Sequence, residues 1–359
     1  MTTRRVTLLF AIGIVVIAFA AWVSSRSQTG TDSIAGTAVL PGLQGALNDV
    51  TQVRITKADG TQVTLERHAN DWIVSERGYP ADSGKLRKLL LDLGSLKAVE
   101  RKTTIARNYP VLGVDDPTSP KSTGARIDII SPAKTWSLIV GTSKDANNVY
   151  VRVVNSPQSL LATPLVMVDA DPKLWLDPTI IDIAQTRVSE VDEQLPKASP
   201  FSASRTNKTQ TDFTVQGIPH GRELTGPDAA DQMGGALSSL TLTDVQKPAA
   251  PPQGTALCHA VFKTFDGLEI DVSGYKQASN GYIDVSAHAT ARSADAEAQQ
   301  INARVRGWEY VIPDYRYDQI FQSMDGLLKP LPVKKPPAKA HARSKQPRRR
   351  PDALSRSSQ

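Results

Sequence analysis

The side chains able to do chemistry are few and scattered. Five histidines, His68, His220, His259, His288 and His341, share neither H-E-x-x-H spacing nor another short metal-binding interval. Cys258 is the only cysteine, so no intrachain disulfide and no cysteine-built zinc cage can form. Cys258 and His259 are neighbours, and on a strand they would point to opposite faces. That alternation predicts a buried small thiol and a surface imidazole rather than a thiolate–imidazolium pair. Asp115-Asp116-Pro117 could offer two carboxylates to a cation. No third ligand at calcium-loop spacing follows, so the acids read as caps of their own turn. Asp169, Asp171 and Asp177 could act as paired general acid and base, but Pro172 and Pro178 favour turns there too. Gly234-Gly235 lacks the Lys-Ser/Thr of a phosphate loop, and no Gly-x-Ser-x-Gly elbow occurs. The expectation is a chain with no catalytic residues, no cofactor and no metal site.

The elements that would position any site begin with a membrane anchor. Val6 to Val23 carries no charge, and eighteen residues at helical rise span about 27 Å, close to the hydrocarbon thickness of a bilayer. Arg4 and Arg5 precede it and Trp22 sits near its far end, so the positive-inside rule puts residues 1–5 in the cytoplasm and the body outside it. Ala18-Phe19-Ala20 resembles a signal-peptidase site, which leaves cleavage as the alternative. The apolar run exceeds the roughly 7–15 residues of a signal core and favours a signal anchor over residues 6–23. Both outcomes place the body outside the cytoplasm.

Residues 24–48 read as a linker containing the anchoring motif Leu40-Pro41-Gly42-Leu43. Val53 and Ile55, then Val63 and Leu65, flank the hairpin turn Asp59-Gly60, and Trp72-Ile73-Val74 supplies a third strand. Leu86, Leu89, Leu90, Leu93 and Leu96 fall on one face of a helix capped by Asp82 or Ser83, a stripe that suits packing on the chain's own sheet. Residues 126–130, 136–140, 149–153 and 165–168 read as further strands, with Pro132, Gly141 and Asn147-Asn148 in the turns. The order then repeats. Phe213-Thr214-Val215 stands where Trp72-Ile73-Val74 stood, and Gly226-Pro227-Asp228 opens a helix with Met233, Leu237 and Leu240 on its apolar side. Strands follow around Asp266-Gly267 and Asn280-Gly281, then Trp308 to Ile312, and a closing helix from Tyr315 to Leu328. Offsets of about 130–147 residues suit a duplicated domain rather than a solenoid. The expected fold class is α+β: two duplicated units of antiparallel sheet with one helix each, over residues 49–185 and 186–328, after the transmembrane helix.

Charge partitions unevenly along this plan. Residues 329–359 hold ten Lys/Arg against Asp352 alone, and Arg4, Arg5 and Arg26 add three more positive charges. The remaining 27–328 has 29 bases and 35 acids, a net −6 that argues against a groove tracking nucleic-acid phosphates. From Pro330 the chain alternates Pro with Lys/Arg, and a disordered tail is expected. Lys334, Lys335, Arg348, Arg349 and Arg350 are its candidate contacts with anionic lipid, cell-wall acids or an acidic partner, each weak and salt-sensitive.

Taken in order, these landmarks resemble the bacterial domain-of-unknown-function family 4340 over roughly residues 40–320. The likeness rests on Leu40-Pro41-Gly42-Leu43 with Leu47-Asn48-Asp49-Val50, and on Trp72 with Tyr79-Pro80-Ala81-Asp82 and the leucine helix. It rests also on Leu112-Gly113-Val114-Asp115-Asp116-Pro117, on Leu138-Ile139-Val140-Gly141 with Val149-Tyr150-Val151-Arg152, and on Leu174-Trp175-Leu176-Asp177. The second copy departs from the pattern, with Phe213 for the tryptophan and no clear Gly-x-Asp-x-Pro turn. The resemblance implies a single-pass protein of the bacterial inner membrane with a periplasmic body and no established activity. Such proteins are found beside ABC-transporter components of the gliding-motility type. The leading expectation is a non-enzymatic partner-binding or transporter-associated protein. The alternatives are a ligand-binding or hydrolytic envelope enzyme using Asp115, Asp116 or Asp284, and a structural tether that grips an anionic surface with the basic tail.

Overall fold

The computed structural model describes residues 34–331. The expected membrane helix over 6–23 and the tail contacts Lys334, Lys335, Arg348, Arg349 and Arg350 lie outside those residues. Among the described residues no helix is long and apolar enough to cross a membrane.

Alternation of apolar and polar side chains builds a first antiparallel sheet. Its strands are β1 (Gln52–Lys57), β2 (Gln62–His68), β3 (Asp71–Val74), β4 (Tyr79–Pro80), β5 (Lys97–Arg101), β6 (Ala125–Ile130), β7 (Thr135–Ser143), β8 (Val149–Val153) and β9 (Ser159–Thr163). Their order across the sheet is β4-β3-β2-β1-β6-β7-β8-β9-β5. Helix α1 (Ser83–Gly94) runs between β4 and β5, capped by the Asp82 carboxylate, which accepts from the Lys85 N–H at 2.9 Å. Leu86, Leu89, Leu90 and Leu93 of α1 are buried, as the stripe predicts. Within the expected linker, Val39, Leu40 and Leu43 are buried as well, because Val39 N–H donates to the Leu96 carbonyl and draws this stretch onto the core.

A second sheet repeats the plan. A short pair, β10 (Thr179–Ile181) with β14 (Leu240–Thr241), ties the intervening segment to it. The sheet comprises β11 (Val188–Gln194), β12 (Phe201–Ser204), β13 (Thr214–Gln216), β15 (Asp244–Gln246), β16 (Cys258–Thr264), β17 (Leu268–Gln277), β18 (Asn280–Ala289) and β19 (Glu309–Pro313). Its order, β13-β12-β11-β16-β17-β18-β19-β15, is that of the first sheet from β3 through β9 to β5. The register repeats too. Val53 lies between Leu65 and Ile129, and Val191 between Ala203 and Phe262. The fold is therefore a sheet-rich α+β structure with repeated antiparallel sheets.

Several local expectations are corrected. The second helix, expected from Gly226, is reduced to α2 (Asp231–Gly234), and Leu240 lies in β14. One helix per copy does not hold: the second sheet also carries α3 (Asp295–Val305), α4 (Asp314–Ile320) and α5 (Met324–Leu327), so the closing helix is broken around Phe321. Residues 165–168 form no strand and pair with neither edge strand of the sheet, β4 or β5. Gly141 lies inside β7, and the β17–β18 turn is made by Ala278, at φ +55°, rather than by Asn280-Gly281.

The two sheets share one apolar core, and Tyr79, Pro80, Asp82, Trp175 and Asp177 sit where they meet. The Asp177 N–H donates to the Pro80 carbonyl at 2.9 Å and the Asp82 N–H to the Trp175 carbonyl at 2.8 Å. The Tyr79 ring meets Trp308 edge-on at 5.1 Å and Tyr310 at 6.2 Å. Arg77 donates twice to Asp244, at 2.8 and 3.2 Å, Lys173 adds a contact to the same carboxylate at 3.1 Å, and Arg304 reaches Asp177 at 2.8 Å. Burial pushes the Asp244 carboxyl up, but the hydrogen bonds from Arg77, the Val245 N–H and Lys173 outweigh it and hold it below the usual carboxylate range.

Candidate functional site

The aspartates that could have done chemistry are mostly engaged with their own backbone. Asp116 accepts from the Thr118 N–H at 3.1 Å and its hydroxyl at 2.9 Å; Asp171 accepts from the Lys173 N–H at 3.0 Å. Asp169 accepts from the Asp171 N–H at 3.0 Å and Asp177 from the Thr179 N–H at 3.2 Å. These are local turns in which a short side chain satisfies a nearby N–H. Asp115 and Asp116 belong to the segment before β6, and Asp284 to β18 of the other sheet, so the fold does not bring them together. Cys258 and His259 alternate as expected, the thiol partly buried and the imidazole exposed.

What sequence reasoning missed is a pair of equivalent arginines in opposite states. Arg67 follows Leu65 by two residues and Arg205 follows Ala203 by two, and their N–H groups donate to Thr51 and Ser189 at matching places. In the second sheet Arg205 is buried. Its Nε donates to the Val188 carbonyl at 2.8 Å, Nη1 to Gln210 at 2.9 Å, and Nη2 to Gln185. The Phe213 ring lies 4.8 Å from the guanidinium carbon and the Phe265 ring 5.6 Å from it, both within cation–π reach. Gly234 lets α2 close over this stack, since a Cβ there would come within 2.6 Å of Phe213 Cζ.

Arg67 has none of this closure. It is exposed and donates to one carbonyl, that of Asn48, at 2.7 Å; no other side-chain partner occurs among the described residues. On one side of it opens a cleft of 340 Å³ walled by Leu47, Trp72, Leu86, Leu90 and Leu91, with Arg87 at its rim. On the other opens a cleft of 580 Å³ between Asp49, Thr51, Ala69, Pro132 and Ala133. Trp72 occupies the place of Phe213 but stays half-buried. The arrangement combines apolar walls with unengaged guanidinium donors, groups that can bury apolar surface and donate to carbonyl or carboxylate oxygens. The sequence shows the two arginines, each a few residues ahead of an aromatic, Trp72 or Phe213, but not which of the two is left open.

A second surprise is Glu193. It lies between Phe201 and Ala260 in the register that puts Ile55 between Val63 and Ile127. It is 2% exposed, and neither carboxyl oxygen has a hydrogen-bond partner; the Gln322 N–H lies near but outside bonding geometry. Burial pushes its pKa up to about 9. Burial likewise raises the Cys258 thiol and the Tyr317 hydroxyl, which face each other nearby. A 440 Å³ groove runs along the same strands. Its Asp192, Ser202, Gln216, His259 and Val261 share the solvent face, whereas strand alternation turns the Glu193 carboxyl to the inner face. Among the described residues no group of three or more His, Cys, Asp or Glu side chains is placed to hold a metal ion.

Neither a curated protein nor a solved structure matches the chain. A family model does match residues 72–253, from Trp72 of the open cleft through both sides of the junction between the sheets. The chain belongs to the family described as Domain of unknown function (DUF4340).

Proposed function

We propose that the protein is a non-enzymatic, membrane-tethered binding protein of the bacterial inner membrane. In this reading its N-terminus is cytoplasmic, its sheets are periplasmic, and it holds a partner polypeptide. An ABC-transporter subunit is the partner class that the family context suggests. The observation carrying the reading is the open cleft at Arg67 and Trp72, at a position that the second sheet fills with its own side chains. A closed second copy contributes stability, and an unclosed first copy leaves apolar walls and guanidinium donors for another molecule.

Leu91 is 52% exposed on the rim of this cleft and offers a place for a photo-crosslinking residue in native membranes. Irradiation should join it to an integral membrane protein or transporter subunit, and Trp72→Ala should abolish the adduct. Adducts only to abundant bystanders, or a yield indifferent to Trp72→Ala, would count against the reading. Placement has its own test: alkaline phosphatase fused after residue 331 should be active, as it folds only outside the cytoplasm. An inactive fusion, with a cytosolic reporter active at the same point, would remove the periplasmic assignment.

A further inference from the structure

We infer that the 580 Å³ cleft beside Arg67 recognises an aromatic side chain of a partner polypeptide, stacked on the guanidinium, together with main-chain carbonyl oxygens that accept from it. The inference rests on the partner-binding reading and names the chemistry of the partner. The second sheet serves as the template, because the same arginine is complete there.

Two insertions in the second copy supply what the first lacks. Thr264 and Ser131 organise equivalent hairpin turns. The Thr264 hydroxyl donates to the Leu268 carbonyl at 2.9 Å and accepts from the Leu268 N–H at 2.8 Å. Ser131 does the same with Lys134, at 2.9 and 3.1 Å. The Thr264 turn is one residue longer and carries Phe265 against Arg205, where the first copy has exposed Pro132 and Ala133. The loop between β12 and β13 is also longer than the Ala69-Asn70 turn between β2 and β3, and it delivers the Gln210 carbonyl to Arg205. The parts absent around Arg67 are thus one ring and at least one carbonyl oxygen, and a peptide bearing an aromatic residue has both. A guanidinium prefers such company because it stacks on π-faces while its in-plane N–H groups donate outward. Arg87, on the rim of the smaller cleft across Arg67, adds positive charge that suits a carbonyl-rich or acidic segment.

The chain itself provides a probe, an acetylated and amidated peptide of residues 263–269, which carries Phe265. The full-length protein in detergent micelles, labelled with ¹⁵N at its tryptophan indoles, would be titrated with it, and the Trp72 signal assigned through Trp72→Phe. The expected result is a saturable shift at Trp72. Replacing Phe265 by Ala in the peptide, or Arg67→Gln in the protein, should each weaken binding roughly tenfold. Pro132→Phe should fill the 580 Å³ cleft from inside and abolish binding, with a thermal midpoint unchanged or raised, so that loss cannot be laid to misfolding. Equal binding of the Phe and Ala peptides, indifference to Arg67→Gln, or saturation of the site by inorganic phosphate instead would each overturn the inference. If position 91 still crosslinks specifically to a membrane protein while the peptide is ignored, the ligand chemistry is refuted and the partner-binding reading stands.

Discussion

Glu193 and Ile55 hold equivalent places in the two sheets, and the contrast has a measurable consequence. A carboxyl group without partners at such a site stays neutral, because ionising it there would cost far more than in water. Its folded pKa of about 9 lies above the ordinary value of 4.5, so the folded chain holds a proton that the unfolded chain has released. The stability associated with that proton is complete below pH 4.5 and drains away as pH rises through about 9. Glu193→Ile, which copies the first sheet, should stabilise the protein at pH 7 by about 1–3 kcal/mol, since an unsatisfied buried polar group is removed. The gain should be larger at pH 9 than at pH 6. Urea denaturation at both values checks this, and a variant no more stable than wild type at pH 9 would refute it. This residue was hidden in the sequence because Glu190, Asp192 and Glu193 crowd one short stretch in which local pattern does not tell an inward carboxylate from a solvated one. Only its spacing of two from Val191 marks it as inward. The capping aspartates were legible for the opposite reason, since an Asx turn is closed by atoms two residues away and requires no knowledge of the fold.

Elements followed the same division between local and distant causes. Helix α1 was legible because its cap and its leucine stripe both lie within one stretch, and the β1–β2 hairpin because Asp59-Gly60 dictates its own turn, with Gly60 at φ +84°. The second helix was not, for reasons of packing. Gly234 and Gly235 each weaken a helix by about 1 kcal/mol relative to Ala, and Ser239 at φ +46° ends any continuation. What they permit is the approach of Phe213, and through it the closure of Arg205. Gly234→Ala therefore gains helix propensity yet should destabilise by about 1–3 kcal/mol, because its Cβ would push the Phe213 ring out of place. Chemical denaturation measures the sign, and a stabilised variant would show that propensity outweighs packing here. The open cleft itself could not be read from sequence, because it is defined by what two shorter turns fail to cover.

At the scale of the molecule, one part of the family-like sequence joins the sheets. Tyr79, Trp175 and Leu176 are almost wholly buried at the junction, and Arg77, Asp177 and Asp244 bridge it with charge. A buried, charge-bridged seam implies that two units of one strand order work as a fixed pair, with one arginine site closed and the other open. Cooperativity tests that implication. Unfolding followed by far-UV circular dichroism reports both sheets, and tryptophan fluorescence is weighted to the first sheet and the seam, through Trp72, Trp136, Trp175 and Trp308. If the core is continuous, the two signals should coincide in wild type. Tyr79→Ala should lower stability by about 3–5 kcal/mol, as truncation of a buried aromatic does, while leaving one transition, because the β10–β14 pair and the charged bridges persist. Adding Asp244→Ala strands Arg77 and Lys173 without their shared carboxylate, and the double variant should then unfold in two steps, the signals parting. Acid should act in the same direction on wild type. Asp244 titrates below its ordinary value, so its contribution is present above pH 3.8 and is lost as pH falls through the lowered folded value. Two resolved transitions in the unmodified protein at neutral pH would mean that the sheets are merely neighbours, and the fixed spacing between closed copy and open cleft would lose its physical basis.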